Sequence, residues 1–589
     1  MNHERWWLGL ILVLHVILTT WYSLQIPLGE APDEADHWAY VLFLARERRL
    51  PTEPTLTQSK HPPLYHATAA LVASLAVPNV GVLDTRWYLR ANPDVTFMPE
   101  RALSGAYSLN SFIHTRYEAW PWRPGPLAFR LARLWSVVLS TFTVWAAYHA
   151  LRHAFPQRPE VVWLGTLMTA FLPEFAFIGG VVNNDVAAAL FGTLALWGGT
   201  VAYRRGRLRA GWWTPLALGG GVWAKVSTLA LWPAVGWLAW LGRARQGPRG
   251  TRAAAHSAGE VLTAYLLPAA VIASPWFVRN WLAYGDPFGW QLVRQTVDVR
   301  TGPWTWGDTW WLLQGWFVSF WGKFGSAGHI PLPSSVYVFL GIASVVALGG
   351  LVKQVVQAPP DERWVLLGWS GAILGVMGAI WRYSLVALGT NQGRLLFPAL
   401  VPLLGLWSYG MAGWFPARQR FRLVFFWGGV MAVLAFYGLV GVIRPAYAPP
   451  PSAHRLWPAT ALMPPIQFGE IQLIGADLTT QPVLYWSTST RPQQDWRVVL
   501  RITAEDGTLV WEWKRSPGAG RWSTDHWPPG YVMRDVYEVQ WPVWAKPGRY
   551  RVEVAAFPFM GSWVIPMREG KPVATPEHPF VLIGWLSYP

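Results

Sequence analysis

The stretch Ala31-Pro32-Asp33-Glu34-Ala35-Asp36-His37-Trp38 places two adjacent carboxylates, a third acid and an imidazole just after the first apolar run of the chain. A carboxylate held there can take a proton from a hydroxyl at a membrane surface. His37, one helical turn beyond Asp33 and Glu34, either completes a binding face or is satisfied by a neighbour. The same residues also make an ordinary helix start, because Pro suits the first turn and acids complement the positive end of the macrodipole. Other polar groups recur at Lys60-His61, Asn183-Asn184-Asp185, Lys225, Arg279-Asn280, Asp286-Pro287, Trp321-Gly322-Lys323 and Asn391-Gln392-Gly393-Arg394. Each has a structural alternative. Asn183-Asn184-Asp185 is good N-cap chemistry, Tyr284-Gly285-Asp286-Pro287 reads as a turn, and Lys225 can snorkel. A divalent metal could join His37, His61 and His66 to Asp33, although no spacing approaches a dedicated zinc signature.

The elements that must position these groups are membrane spans. The chain has 589 residues, 52% hydrophobic and 14% charged, and its apolar runs are long enough to cross about 30 Å of hydrocarbon. The formal charge of +16 collects in short loops between those runs, as the positive-inside bias expects, which argues against a nucleic-acid partner. Many of the 43 tryptophans flank apolar segments, where an amphipathic ring favours the interface. With no cysteine, disulfides and thiolate metal sites are excluded. The first run, Trp6 to Leu24, exceeds a signal core and lacks an A-x-A-like cleavage site, so it reads as a retained anchor.

Basic loops at Arg152 to Arg158, Arg204 to Arg209, Arg243 to Arg252, Lys353 to Arg363 and Arg418 to Arg422 are assigned to the cytoplasm. With a cytoplasmic N-terminus, spans follow near 129–150, 161–180, 185–203, 212–224, 226–241, 259–278, 333–352, 364–386, 394–413 and 422–442. Leu64 to Val77 is left along the interface or re-entrant. The expectation is about eleven transmembrane helices over residues 1–445 and an external C-terminus. All the polar groups named above then fall on the external side, and such gathering is a functional signal. Past Arg444 a Pro-rich linker, Tyr447 to Pro451, leads into alternating strands. Val498, Leu500 and Ile502 precede Asp506-Gly507 and then Leu509, Trp511 and Trp513, while Tyr550, Val552 and Val554 follow Pro547-Gly548. Residues 446–589 are therefore expected to form an extracytoplasmic β-sandwich.

Pro32-Asp33-Glu34-Ala35-Asp36-His37-Trp38-Ala39-Tyr40, His61-Pro62-Pro63-Leu64-Tyr65, Asn183-Asn184-Asp185, Pro275 to Asn280 with Tyr284 to Pro287, and Gly393-Arg394-Leu395-Leu396-Phe397-Pro398 resemble, in order and sidedness, a group of bacterial multi-spanning proteins. These are similar to the GT-C integral-membrane glycosyltransferases, which include protein O-mannosyltransferases and lipid A aminoarabinose transferases. The resemblance implies a multi-pass protein of the bacterial plasma membrane that transfers sugar from a polyprenyl-phosphate donor, itself a membrane lipid. The acceptor would be a glycan, lipid or protein entering from the exoplasmic side. It also implies Asp33 as general base, with Glu34 second. His37, Lys60, His61, Asn183, Asn184, Asp185, Lys225, Asn280, Asp286 and Gln392 would contact substrate, and Arg279, Lys323 and Arg394 would stabilise the leaving phosphate. Direct displacement would invert the anomeric centre. Tryptophans in the 304–321 loop could stack on sugar faces. Two other classes fit the residues: a lipid or polysaccharide transporter or flippase, and a non-catalytic envelope-assembly protein. Transporters commonly carry inverted repeats and midplane charges, whereas the polar groups here sit at one face.

Overall fold

A computed structural model describes residues 2–52, 54–246, 250–456 and 461–588. Residues 247–249, part of the basic stretch Arg243 to Arg252, lie outside the described residues. Helix α1 (Asn2–Gln25) is followed by α2 (Glu34–Glu47) and α3 (Leu64–Ala76), and then by the long α4 (Pro124–Ala154). Next come α5 (Pro159–Phe171), α6 (Pro173–Gly179), α7 (Asp185–Arg205), α8 (Thr214–Ala224) and α9 (Trp232–Ala244). The remainder of the bundle is α10 (Thr251–Tyr284), α11 (Trp290–Thr296), α12 (Trp306–Gly322), α13 (Ser334–Gln357), α14 (Pro360–Ser384), α15 (Gly393–Ala412) and α16 (Ala417–Ala446).

Among the described residues, eight helices are long and apolar enough to cross a membrane, or nine when α5 and α6 count as one broken span. This is a multi-pass membrane protein. The α5–α6 break bends by 53° at Leu172-Pro173, where proline removes a backbone donor and disfavours helix at the residue before it. The expected count of about eleven included 212–224 and 226–241 as full spans. They form the 11-residue α8 and the 13-residue α9, joined through a 3-10 turn after Lys225, and each is too short to cross alone. Helix α3 has 13 residues and rises only about 20 Å. The tryptophans expected in a 304–321 loop instead lie mostly within α12. Close helix approach is bought by small residues: Gly410 of α15 faces the Ala347 carbonyl of α13 with no room for a Cβ.

Ion pairs join the basic loops at one end of the bundle: Glu4 with Arg152, Arg158 with Glu362, Glu160 with Arg420, and Arg245 with Asp361. The polar groups of the candidate site lie at the other end, here termed the site face. The C-terminus of α1, the N-termini of α4, α7 and α15, and the C-terminus of α14 all meet there.

Beyond Ala446 helices give way to a β-sandwich. Strands β1 (Arg90–Ala91) with β2 (Phe112–Ile113), and β3 (Lys323–Phe324) with β4 (Ile330–Pro331), are short hairpin rungs within the bundle's loops. The sandwich has strands β5 (Ala461–Phe468), β6 (Ile471–Asp477), β7 (Val483–Ser487), β8 (Trp496–Thr503), β9 (Leu509–Arg515), β10 (Met533–Val536), β11 (Gly548–Pro558), β12 (Met567–Arg568), β13 (Lys571–Pro572) and β14 (Val581–Tyr588). One sheet runs β10-β7-β6-β5-β12-β13 and the other β14-β11-β8-β9. The expected β8–β9 hairpin is present. Val498, Leu500 and Ile502 are fully buried, with Trp513 paired to Leu500 and Trp511 to Ile502.

The sandwich does not hang free. Residues 77–123, between α3 and α4, lie between it and the bundle. Toward the sandwich, Arg90 pairs with Asp495, the Trp513 indole donates to Asp94 Oδ1 at 2.6 Å, Asn92 donates to the Ala519 carbonyl at 3.0 Å, and Arg515 bridges Asp535 at 2.5 Å and the Ala106 carbonyl at 3.1 Å. Burial pushes the Asp94 carboxyl up to about 6, against the pull of Arg515. Toward the bundle, Glu30 Oε1 accepts from Phe112 N at 2.9 Å and lies 3.0 Å from His114, whose other ring nitrogen is 2.9 Å from Glu118. Burial alone would lower the His114 pKa, but these two carboxylates raise it to about 10.

Candidate functional site

Asp33 occupies the N-cap position of α2 in the left-handed region, φ 58° and ψ 9°, and its side chain makes no capping hydrogen bond. The capping alternative is therefore not what the carboxylate does. A non-glycine residue held there costs roughly 1–3 kcal/mol and persists only where its surroundings over-determine it. Those surroundings begin with Glu34. Its two oxygens accept from the Arg133 guanidinium, each at 2.7 Å, and also from Val182 N at 2.9 Å and Gly29 N at 3.1 Å. Arg133 spends its remaining donors on the carbonyls of Ser23 and Ile26, both at 2.7 Å, and of Pro27 at 2.8 Å. Both side chains are wholly buried. This corrects the place of Glu34 in the pair of acids: it ties α1, α2, α4 and the entry to α7 together and does not face open space. Arg133 was missed in the sequence, although an arginine inside the apolar run that became α4, one turn after Arg130, is a signal in itself, because such a charge needs a partner.

Asp33 points the other way. Arg394, at the N-terminus of α15, donates to Asp33 Oδ2 at 2.5 Å, to Asp185 Oδ2 at 2.7 Å and to Gln392 Oε1 at 2.8 Å. Asp185, at the N-terminus of α7, also accepts from Lys225. The side chain of Asp33 is 43% exposed, while those of Arg394 and Asp185 are 4% and 0% exposed. The chain Lys225–Asp185–Arg394–Asp33 is thus anchored in the interior and opens at its last member. Burial alone would raise the Asp33 pKa, yet Arg394, with help from His37 and Lys60, lowers it to about 2. Burial raises the neighbouring Asp36, against a hydrogen bond from Thr57. Lys60 donates to the Thr57 carbonyl at 2.5 Å, and burial lowers its pKa to about 8 despite Asp33 and Asp36.

Behind Asp33 lie three histidines. His37 Nδ1 and His66 Nε2 are 2.8 Å apart, and the His61 ring stacks on His37 with centroids 6.2 Å apart. Burial lowers the His37 pKa to about 3, so it is neutral near pH 7. Asn183 accepts from Asp185 N at 2.9 Å and donates to the Pro32 carbonyl at 3.2 Å, while Asn184 donates to the Ala224 carbonyl at 3.2 Å. These two asparagines splice Asp185 to the Asp33 loop and to the strap carrying Lys225. Among the described residues, no three or more His, Asp or Glu side chains converge as a metal-binding group.

Four expected contacts, Arg279, Asn280, Asp286 and Lys323, lie outside this cluster. Arg279 is held between Trp276 and Tyr284 and donates to the Pro51 carbonyl and to Asn280 at 2.8 Å, so it pins the segment after α2. Asp286 accepts from Phe288 N at 3.0 Å and Trp290 N at 2.5 Å, and Asn280 donates to the Pro287 carbonyl at 3.2 Å. This is the turn that launches α11. Lys323 leaves α12 with its backbone N donating to Glu174 at 2.9 Å, and its ammonium joins no ion pair among the described residues.

No family model and no curated protein matches the chain. Solved structures are similar to it, among them two of one protein. One is ArnT from Cupriavidus metallidurans bound to undecaprenyl phosphate, with 13% identity, 75% of this chain and 73% of that chain covered, and a TM-score of 0.40. The other is ArnT from the same organism in the apo state, with 14% identity, 76% and 79% covered, and a TM-score of 0.33.

Proposed function

We propose that this chain is a membrane glycosyltransferase that moves a sugar from a polyprenyl-phosphate donor to an acceptor hydroxyl, and that the site face is exoplasmic. The observation that carries this reading is an ionised, half-open carboxylate, Asp33, set beside the cations Arg394, Lys60 and Lys225 at one face of a membrane bundle. A site for lipid-phosphate sugars needs that combination. The acceptor hydroxyl loses its proton to Asp33 as its oxygen attacks the anomeric carbon, and the bond from that carbon to the phosphate oxygen breaks with its electrons going to the phosphate. The departing polyprenyl phosphate carries the charge that Arg394 and Lys60 face. One displacement inverts the anomeric centre.

The low pKa of Asp33 makes it a weak base while Arg394 holds it. A donor phosphate competes for the same guanidinium edge, and Arg394 stays fixed by Asp185 and Gln392 on its other donors. Donor binding therefore restores basicity to Asp33 just when an acceptor can use it. Glu34 is not proposed as base. The test is purified protein in lipid nanodiscs supplied with a panel of polyprenyl-phosphate sugars, with sugar transfer or release measured. Asp33→Asn is expected to reduce turnover by roughly 10²-fold or more with lipid binding retained. Full activity in that variant removes Asp33 as base, and a wild-type protein that neither binds nor consumes any member of the panel removes the whole reading.

A further inference from the structure

Near the cluster stands an aromatic pair, Tyr383 and Trp290. Tyr383 lies in the last turn of α14, a helix that packs on the segment Gly393–Ala399 carrying Arg394. Trp290 opens α11 beside it, with ring centroids 6.3 Å apart and planes inclined by 33°. Trp290 is fixed from two sides: Asp286 accepts from its backbone N at 2.5 Å, and the Arg382 guanidinium lies over its ring at 5.7 Å. Helix α11 also packs on the turn Thr57–Lys60, which brings the aromatic pair to the side of the cluster where Lys60 stands.

Both rings are half-buried. Their polar tips, the Tyr383 hydroxyl and the Trp290 indole N–H, have no hydrogen-bond partner among the described residues, and neither is among the buried atoms left unpartnered. Each tip therefore keeps a free donor and is not wholly sealed in packing. A hydrocarbon tail has no use for two open donors, and a bare phosphate has no use for two aromatic faces. A sugar ring uses both, since its C–H face meets the negative face of an aromatic ring and its hydroxyl edge meets the tips.

Resting on the donor reading above, we propose that Tyr383 and Trp290 form the subsite that holds the sugar ring of the donor beside the cluster of Arg394, Lys60 and Asp33. The test is equilibrium binding to the full-length protein in nanodiscs of undecaprenyl phosphate alone and of undecaprenyl phosphate carrying a panel of hexoses and pentoses. In the wild-type protein at least one sugar is expected to add affinity over the bare lipid. Tyr383→Ala and Trp290→Ala are each expected to weaken that sugar lipid by roughly 3- to 10-fold while leaving the bare lipid unchanged, which also certifies the fold. Tyr383→Phe keeps the ring and is expected to lose less. Equal losses for both lipids, or none, overturn the subsite and leave the donor reading standing. Failure of the wild-type protein to bind either lipid overturns the donor reading and the subsite with it.

Discussion

Glu34→Gln is the substitution whose outcome the structure decides most sharply, because four donors converge on two carboxylate oxygens that no water reaches. Glutamine preserves the shape but turns one oxygen into an N–H₂ group facing an N–H donor. It also leaves the Arg133 guanidinium charged, fully buried and without its counter-ion. Removing one partner of a buried ion pair costs about 3–5 kcal/mol. The adjacent Asp33→Asn is different in kind. Asparagine is among the residues that tolerate the left-handed backbone, and the pair it weakens ends on a side chain 43% exposed, so the stability cost is about 1 kcal/mol or less. The assay is unfolding of the purified protein in one detergent, read beside sugar transfer. Glu34→Gln should lose stability several times more than Asp33→Asn, and Asp33→Asn should lose activity without matching instability. Equal stability in the two variants would refute the division of labour between the adjacent acids.

Arg394→Lys keeps the charge but cannot reach Asp33, Asp185 and Gln392 at once, so undecaprenyl-phosphate binding should weaken by about tenfold or more, as measured in nanodiscs. Lys60 is cationic below its pKa of about 8, so transfer efficiency should fall as pH rises through that value, and Lys60→Arg should move the alkaline limb upward. Asp94 has its folded pKa raised from 3.8 to about 6, so the folded state holds the extra proton between those values. Unfolding stability should therefore decline as pH rises across that window, by about 3 kcal/mol, and Asp94→Asn should flatten the decline. A reporter inserted at Gly206 should be cytoplasmic and one fused after the C-terminus exoplasmic; finding both on one side would separate the residues here described as sharing a face.

The spans were readable because an apolar run long enough for a bilayer leaves a continuous local signature, and the β8–β9 hairpin because alternation and Asp506-Gly507 agree. The two short helices flanking Lys225 were overcounted for the same local reason: hydropathy sees an apolar run but not its interruption by a 3-10 turn. The candidate cluster was named residue by residue, yet its wiring was not. Arg394 meets Asp185 across 209 positions and Asp33 across 361, separations over which a single sequence carries no pairing information. Asp33 and Glu34 could not be told apart because the distinction lies in one backbone angle, set by Arg133 on a helix a hundred residues away. Tyr383 and Trp290 stayed hidden among interfacial aromatics, since nothing local marks which rings will pair across helices α11 and α14.

The packing of the sandwich against residues 77–123 has a consequence for the order in which the protein can be finished. Arg90 and Asp495 are 405 positions apart, so a ribosome completes the whole helical bundle, which ends at Ala446, before the partner of Arg90 exists. During that interval the excursion between α3 and α4 carries Arg90 and Asp94 with their sandwich-side contacts unmade, and water must solvate them. The last stretch of chain then closes a loop of hundreds of residues, at an entropic cost that grows only logarithmically with its length. A truncated product lacking the sandwich would therefore have its spans but would keep an open, charged seam beside Glu30 and the Asp33 loop. Completion of the C-terminus is thus coupled to the setting of a loop made early in synthesis, and an unfinished chain is distinguishable from a finished one at the very face where its chemistry is proposed.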